Sequence, residues 1–523
     1  MGSYVMGIDV GTTGSKAMVT DLRGRILGKG YREYTLNYPK PNWVEVGAEF
    51  LIGITFEAVR EAIADSKVES SEIEAVSFSV NRSSFCLVDD GLNVIDDKIY
   101  VWLDSRSESV MDDINGRISP ERRNEITGMP GGNIFAIAKY YWVKENDPET
   151  YSRTRYFSTI GSLVMHAFGS DDFAVEISDG TVSGLMDVRT LGWSREVAEA
   201  LGFDMAKFPP LCKPAEVVGR IGPDVSAKTG LAVGTKIVAG SGDQQLAAMG
   251  AGVIRDGAVS LTIGTFGLLA IGLAKPNFAG LTGMMIPSTP RLGVFEVEGP
   301  QVSGATCYRW CRDVLCAEDA AAAADKGMDP YELMGEKYIG NSPPGAGGVL
   351  FYSALFGSGY PTWDTNATGA FIGLRSTSTK ADMVRAVMEG ITLESRHILE
   401  SIVAAGVEME DVISISGGAS KSPYWRQMIA DIMGRKVRSL DVPDAAVLGA
   451  AGLAAIGAGF YKNLDEAVEG MVRFGQVYEP IRPNTDLYDT MFGIYKDSYY
   501  ALKDRNVFDR LADVRPRDKG DKG

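Results

Sequence analysis

A repeat restricts how this chain can fold more than any other feature. Ile8-Asp9-Val10-Gly11-Thr12-Thr13-Gly14 lines up with Leu261-Thr262-Ile263-Gly264-Thr265-Phe266-Gly267. Gly11 falls on Gly264, Thr12 on Thr265 and Gly14 on Gly267. In each copy an apolar run enters a Gly-Thr turn and an apolar run leaves it, as two strands joined by a tight connection would. The copies are half a chain apart in 523 residues, which implies a duplicated domain and not a solenoid.

The runs around the repeat supply the other elements. Tyr4 to Ile8, Ala17 to Thr20 and Ile26 to Tyr34 read as a meander that turns at Leu22-Arg23-Gly24-Arg25. Glu49 to Ala64 has helical spacing, with Phe50, Ile54, Ala58 and Ala62 predicted on one face. Ile73 to Val80 is a short buried strand. In the second half, helices are expected over Ala305 to Leu315, Glu318 to Lys326, Lys380 to Ala405 and Tyr424 to Met433. A strand covers Val412 to Ser416, and Ala445 to Ala458 is expected as the last strong helix. The segment after Asp513, rich in Lys, Arg and Asp, is expected to be a disordered tail.

Composition removes several function classes. The 68 acidic and 52 basic residues give a net charge of −16, which excludes a generally basic nucleic-acid binder and disfavours an anionic membrane surface. No stretch is apolar enough for a membrane span, and the start MGSYVMGIDV lacks the pattern of a secretory signal. Five scattered cysteines argue against a disulfide framework, so a cytoplasmic protein is expected. Cys307, Cys311 and Cys316 cluster without a nearby His and read as reduced thiols on or beside a helix. Two histidines leave little room for a His metal site or a Ser-His relay.

Four motifs have a chemical reading beside a structural one. Asp9-x-Gly11-Thr12-Thr13-Gly14-x-Lys16 presents consecutive N–H groups and hydroxyls suited to phosphate, with Asp9 placed to reach a hydrated Mg2+ and Lys16 adding positive charge. Its structural reading is a hairpin turn with an Asp cap. Gly264-Thr265 repeats the turn. The strand ending in Gly417-Gly418-Ala419-Ser420 allows close approach of a flat ligand, or is simply a tight strand-to-helix connection. Asp243, after the apolar run Thr235 to Ala239, is placed to accept a proton from an attacking hydroxyl, or to cap the segment Gln244 to Gly250. Arg82, Trp102 and Asp104 suit a polyhydroxylated ligand, or form a surface salt bridge beside a core Trp.

In this order the motifs resemble the FGGY carbohydrate kinases. The carriers are GIDVGTTGSKAMVTD, VWLDSR, AGSGDQQLAAMGAG, LTIGTFG and ISGGASKSPYWRQMIADI. The resemblance runs to about residue 500. It implies an α/β, duplicated actin-like and hexokinase-like (ribonuclease H-like) two-domain ATPase fold with an interdomain cleft. It places an N-terminal domain over 1–251, a C-terminal domain over 252–500 and a tail over 501–523.

The resemblance further implies phosphorylation of a sugar or polyol hydroxyl by ATP with Mg2+. Asp243 takes the place of the catalytic base. Arg82, Trp102, Asp104 and Gln244 join it in the substrate pocket. Gly11, Thr12, Thr13, Lys16, Gly264, Thr265, Gly304, Gly418, Ala419 and Ser422 fall at the ATP site, and Asp9 at the Mg2+. Gly242-Asp243-Gln244-Gln245 looks like the glycerol kinase version of the base motif, but glycerol kinases carry Arg-Glu where this chain has Arg82-Ser83. Xylulokinases usually have Gln-Met-His near residues 81 to 83 and Asp-Asn at the base, and Gly264-Thr265-Phe266 is similar to the autoinducer-sugar kinases. The favoured reading is a xylulokinase-like enzyme for a pentulose or related linear polyol. An actin-fold ATPase without a sugar acceptor is the reading from a different class. Family members are commonly dimers or tetramers; a homodimer is one expectation, and no sequence feature decides it.

Overall fold

The computed structural model describes residues 3–278, 280–281, 283–441 and 444–514. The first of two six-stranded sheets contains β1 (Tyr4–Val10), β2 (Gly14–Asp21), β3 (Ile26–Glu33), β4 (Ile73–Val80), β5 (Val217–Arg220) and β6 (Lys236–Gly242). Their spatial order is β3-β2-β1-β4-β6-β5. The second contains β7 (Val259–Ile263), β8 (Gly267–Leu273), β9 (Phe295–Gln301), β10 (Val412–Ser416), β11 (Lys436–Leu440) and β12 (Phe474–Tyr478). Their order is β9-β8-β7-β10-β11-β12.

The two sheets follow one plan. β1 is antiparallel to β2 and parallel to β4, β6 is parallel to β4, and β5 is antiparallel to β6. Likewise β7 is antiparallel to β8 and parallel to β10, β11 is parallel to β10, and β12 is antiparallel to β11. The sequence repeat is therefore a repeat of topology. One step differs. In the first sheet the chain makes the edge strand β5 before the inner strand β6, and in the second it makes the inner strand β11 before the edge strand β12.

Two compact units result, and neither is one continuous segment. The first comprises Met1–Asp256, Gly272–Val297 and Asp444–Arg473. The second comprises Gly257–Ile271, Glu298–Pro443 and Phe474–Gly523.

Helices cover the sheets where the sequence supplies apolar faces. They are α1 (Ala48–Ser66), α2 (Asp243–Gly250), α3 (Gly304–Trp310), α4 (Lys380–Ala404), α5 (Pro423–Met433), α6 (Ala445–Ala458) and α7 (Arg482–Asp504). α1 lies on β2 and β3. It buries Leu51, Thr55, Ala58, Val59 and Ala62, whereas Phe50 is 50% exposed. The predicted face is thus displaced by one position at its start. α6 is apolar on every side because it is covered on every side: it packs against β1, β4 and β6, and its Ala450 and Leu453 share a core with Leu246, Met249 and Ile254. α4 begins with a capping box, in which Thr379 and Asp382 satisfy each other's backbone N–H.

α6 is not the last strong helix. α7 follows, and Tyr488, Met491, Phe492, Tyr495 and Tyr499 line its buried face at intervals of three and four. A shorter helix, Val507–Asp513, ends the described chain and buries Phe508. The expected disorder falls almost wholly on residues outside the described ones. No helix among the described residues is long and apolar enough to cross a membrane. Cys307 and Cys311 lie on α3 and the π-helical turn Cys311–Leu315 that follows it, and all five cysteines are buried and free.

Candidate active site

In the first unit, β1 and β2 are joined through residues 11 to 14, since Val10 faces Ser15 in the ladder. The Gly11 N–H donates to Gly14 O at 3.0 Å. Tyr34 braces the turn, donating its N–H to Thr13 O at 2.9 Å and its hydroxyl to Gly11 O. The N–H groups of Thr12 and Thr13 donate to nothing among the described residues. Consecutive free N–H groups form the concavity that anionic phosphate oxygens occupy. Trp102 donates its indole N–H to Thr12 Oγ1 at 2.9 Å.

Asp9 stands at the same end of β1. It accepts from Ser79 Oγ at 2.6 Å. Burial pushes its carboxyl above the usual range, against the pull of Ser79 and of the Lys16 ammonium. Lys16 forms an ion pair with Asp444, the residue before α6. Asp444 therefore belongs to this cluster, and sequence reading missed it. A carboxylate immediately before an apolar helix was the available signal, but its distance from Asp9 in the chain hides the association.

In the second unit the connection from β7 to β8 is one residue tighter, because Ile263 faces Gly267. The Gly264 N–H donates to Phe266 O at 2.9 Å. The N–H groups of Thr265 and Phe266 donate to nothing among the described residues, matching the first turn. This turn rests on α3: Ala305 N–H donates to Gly264 O at 2.7 Å and Thr306 Oγ1 to Thr265 O at 2.6 Å. A Cβ on Gly304 would come within 2.7 Å of the Phe266 carbonyl carbon, so only glycine lets α3 seat there.

Gly418 opens a short 3-10 turn after β10, Ala419 is buried, and Ser422 caps α5 by accepting from Trp425 N–H at 3.3 Å. Ser422 thus has a structural task as the cap of α5. A groove of about 700 Å3 runs along α5, lined among others by Ile339, Pro343, Tyr424, Gln427 and Met428. Gly418, Ala419 and Ser422 do not line it.

Asp243 is the first residue of α2, directly after β6. It is not the cap, since Gly242 holds that position and makes no side-chain cap bond. Asp243 Oδ1 instead accepts from the N–H of Gln244 at 2.8 Å. Arg82 Nε lies 3.6 Å from the same oxygen. Arg82 also donates to Gln245 Oε1 at 3.4 Å, and Gln245 Nε2 donates to Ser178 O at 3.0 Å. Gln245 is thus the amide that braces Arg82, a role that sequence reading did not give it.

Asp104 corrects an expectation. Its carboxylate accepts from the Val44 and Arg106 N–H groups and from the Arg106 guanidinium, which also reaches Glu45. The Asp104 and Arg106 side chains are 0% and 1% exposed. With its oxygens occupied and out of reach of solvent, Asp104 holds the Trp102 segment and does not present a group to a ligand. The pair is equally far from the alternative of a surface salt bridge. Arg106 stacks on Trp43, 3.8 Å from the ring centre.

The first unit therefore holds a turn with two unoccupied N–H groups, two carboxylates at strand ends, and a guanidinium beside one of them. Such a set suits transfer of a phosphoryl group to a hydroxyl. Comparison with known proteins agrees. The family model described as "FGGY family of carbohydrate kinases, N-terminal domain" matches residues 4–250. The corresponding C-terminal domain model matches residues 262–458. A xylulose kinase of Bacillus subtilis is 28% identical over 506 residues, covering 96% of this chain and 98% of the relative. A glycerol kinase of Solidesulfovibrio magneticus is 28% identical over 495 residues, covering 93% and 96%. Among solved structures, a ligand-bound xylulose kinase from Lactobacillus acidophilus superposes with a TM-score of 0.85 at 23% identity, covering 96% of this chain and 98% of that one.

Proposed function

The chain belongs to the FGGY family of carbohydrate kinases, and on that premise we propose that it transfers the γ-phosphoryl group of ATP to a hydroxyl of a small sugar, with a pentulose such as xylulose as acceptor. The observation that carries the residue roles is the placement of Asp243 at the end of β6 beside Arg82.

Asp243 accepts the proton of the attacking hydroxyl, and Arg82 orients that carboxylate. Arg82, Trp102 and Gln244 bind the acceptor. The free N–H groups of Thr12, Thr13 and Thr265, in the turns begun by Gly11 and Gly264, hold phosphate oxygens, and Lys16 adds charge. Gly304 seats the second turn, while Gly418, Ala419 and Ser422 border the adenosine. Mg2+ would neutralise phosphate charge, and Asp9, a hard oxygen donor, would hold it through water. A cytoplasmic homodimer is the proposed setting, and sedimentation of the purified chain checks the dimer.

Glycerol is disfavoured as acceptor because Ser83 stands where glycerol kinases have Glu, and a small polyol depends on each hydrogen bond. The test is ADP release measured with Mg-ATP over a panel of ketoses, aldoses and polyols. Strong stimulation by a pentulose supports the assignment. Preference for another sugar overturns the substrate, and no stimulation by any acceptor overturns the kinase reading.

A further inference from the structure

Beside the end of β6 that precedes Asp243 the first unit buries two carboxyl groups that the proposed reaction does not use. Glu176 and Asp179 are 3% and 4% exposed. Glu176 accepts from the N–H groups of Ser178 and Asp179 at 2.8 and 2.9 Å. It also accepts from Ser178 Oγ at 2.6 Å, and that hydroxyl lies 2.6 Å from Ser241 Oγ. Ser241 sits two residues before Asp243, where the pairing of β6 with β4 slips between Val238 and Ser241. The slip brings Gly240 so close to β4 that a Cβ there would stand 1.7 Å from Phe78 O. The strand end that delivers Asp243 is thus bulged, and Glu176 grips it through two hydroxyls.

Asp179 differs from Glu176. Thr159 hydrogen-bonds its carboxyl, but its Oδ2 is buried with no hydrogen-bond partner among the described residues. Gly161, Glu176, Asp179, Gly240 and Ser241 line a cavity of about 10 Å3, the size of one water. The cation that acts on Asp179 is Arg82, the same guanidinium that stands beside Asp243. The other titratable groups that feel Asp179 are Glu176, Cys212 and Tyr140. One guanidinium therefore serves two carboxyls. Burial raises both acids, Asp179 to about 6 and Glu176 to about 8.

We propose that Glu176 and Asp179 are positioning residues for Asp243: Glu176 fixes the bulged strand end that delivers the base, and Asp179 shares the Arg82 guanidinium with it. This rests on the kinase reading. The charge on Asp179 draws Arg82 from Asp243 and adds repulsion, and both effects keep the base more basic. Neutralising Asp179 removes its charge from the competition for Arg82, strengthens the hold of that guanidinium on Asp243 and weakens the base.

The test is the pH profile of acceptor phosphorylation by the full chain and by Asp179→Asn, with kcat and KM separated and folding checked by circular dichroism. In the variant the acid limb of kcat/KM moves to lower pH, kcat falls about tenfold, and acceptor KM stays within about twofold. A purely structural role lowers activity without moving the limb. An unmoved limb in a folded variant overturns this proposal alone, whereas a wild-type chain without acceptor-dependent turnover overturns the kinase reading and this proposal with it. If Asp179→Asn does not fold, Ser241→Ala cuts the link to Glu176 and leaves both carboxyls in place. Its kcat falls several-fold at unchanged KM, and wild-type kcat there overturns the proposal.

Discussion

Trp102 donates its indole N–H to Thr12 Oγ1 at 2.9 Å. This bond ties the segment assigned to the acceptor to the turn assigned to phosphate, within one unit. It also occupies one of the two acceptor positions of the Thr12 hydroxyl, which keeps its proton and one lone pair for a ligand.

Trp102→Phe keeps an aromatic face and removes the bond. One hydrogen bond contributes about 1 kcal/mol, or roughly a fivefold effect. Steady-state kinetics should show the KM values of both ATP and acceptor rising by about that factor. An effect on acceptor KM alone would mean that the bond does not couple the two segments.

Asp243→Asn retains the shape of the base and removes its proton affinity. Turnover should fall by about 10²–10⁴ while nucleotide binding, followed by calorimetry, stays within a few-fold. Near-normal turnover would dismiss Asp243 as the base.

Two glycines predict opposite signs for one substitution. Gly240→Ala drives a methyl group onto Phe78 O and should destabilise the protein by about 3 kcal/mol or yield insoluble chain. Gly53, inside α1 with nothing near its missing side chain, should gain roughly 0.5–1 kcal/mol on conversion to Ala. Thermal melts of the two variants measure both.

Glu394 gives a pH prediction. It lies in the second unit, where Ser353 Oγ and Gln301 Nε2 donate to its Oε2, the latter at 3.0 Å, while Oε1 has no hydrogen-bond partner among the described residues. Burial raises it from 4.5 to about 7. The folded chain then holds more protons than the unfolded chain between those values, so this group's contribution to stability falls as pH rises from 4.5 to about 7. Glu394→Gln should therefore melt higher than the wild type at pH 8, with the gap closing as pH falls to about 5. A gap that does not change with pH would contradict the assignment.

Much of the architecture was legible because its signals are local. The strand ranges Ile73 to Val80 and Val412 to Ser416 were predicted to the residue, since each is an apolar run bounded by turns. The repeat implies a duplicated domain, and the two sheets share one topology apart from the order of their last two strands. What remained hidden depends on distant partners. The displaced face of α1 is set by β2 and β3, and spacing alone does not separate Phe50 from Leu51. Asp104 reads as a ligand group until Arg106 and Val44 claim its oxygens. Asp444 and Gln245 enter the candidate site only through contacts that no motif spells out. α7 carries a weaker signal than the uniformly apolar α6, an aromatic periodicity set among polar residues.

The cover of the first sheet has a consequence for biosynthesis. β1 is made long before α6, which packs on it and follows almost all of the other elements of the first unit in the sequence. During translation the apolar side of β1, β4 and β6 stays without that cover until α6 emerges, a period in which chaperones and aggregation compete for it. A nascent chain stalled or truncated before α6 should be degraded or aggregate even though nearly all of its first unit has been made. A split version of this protein would need its cut placed so that the fragment carrying β1 can still recruit α6 from the other piece.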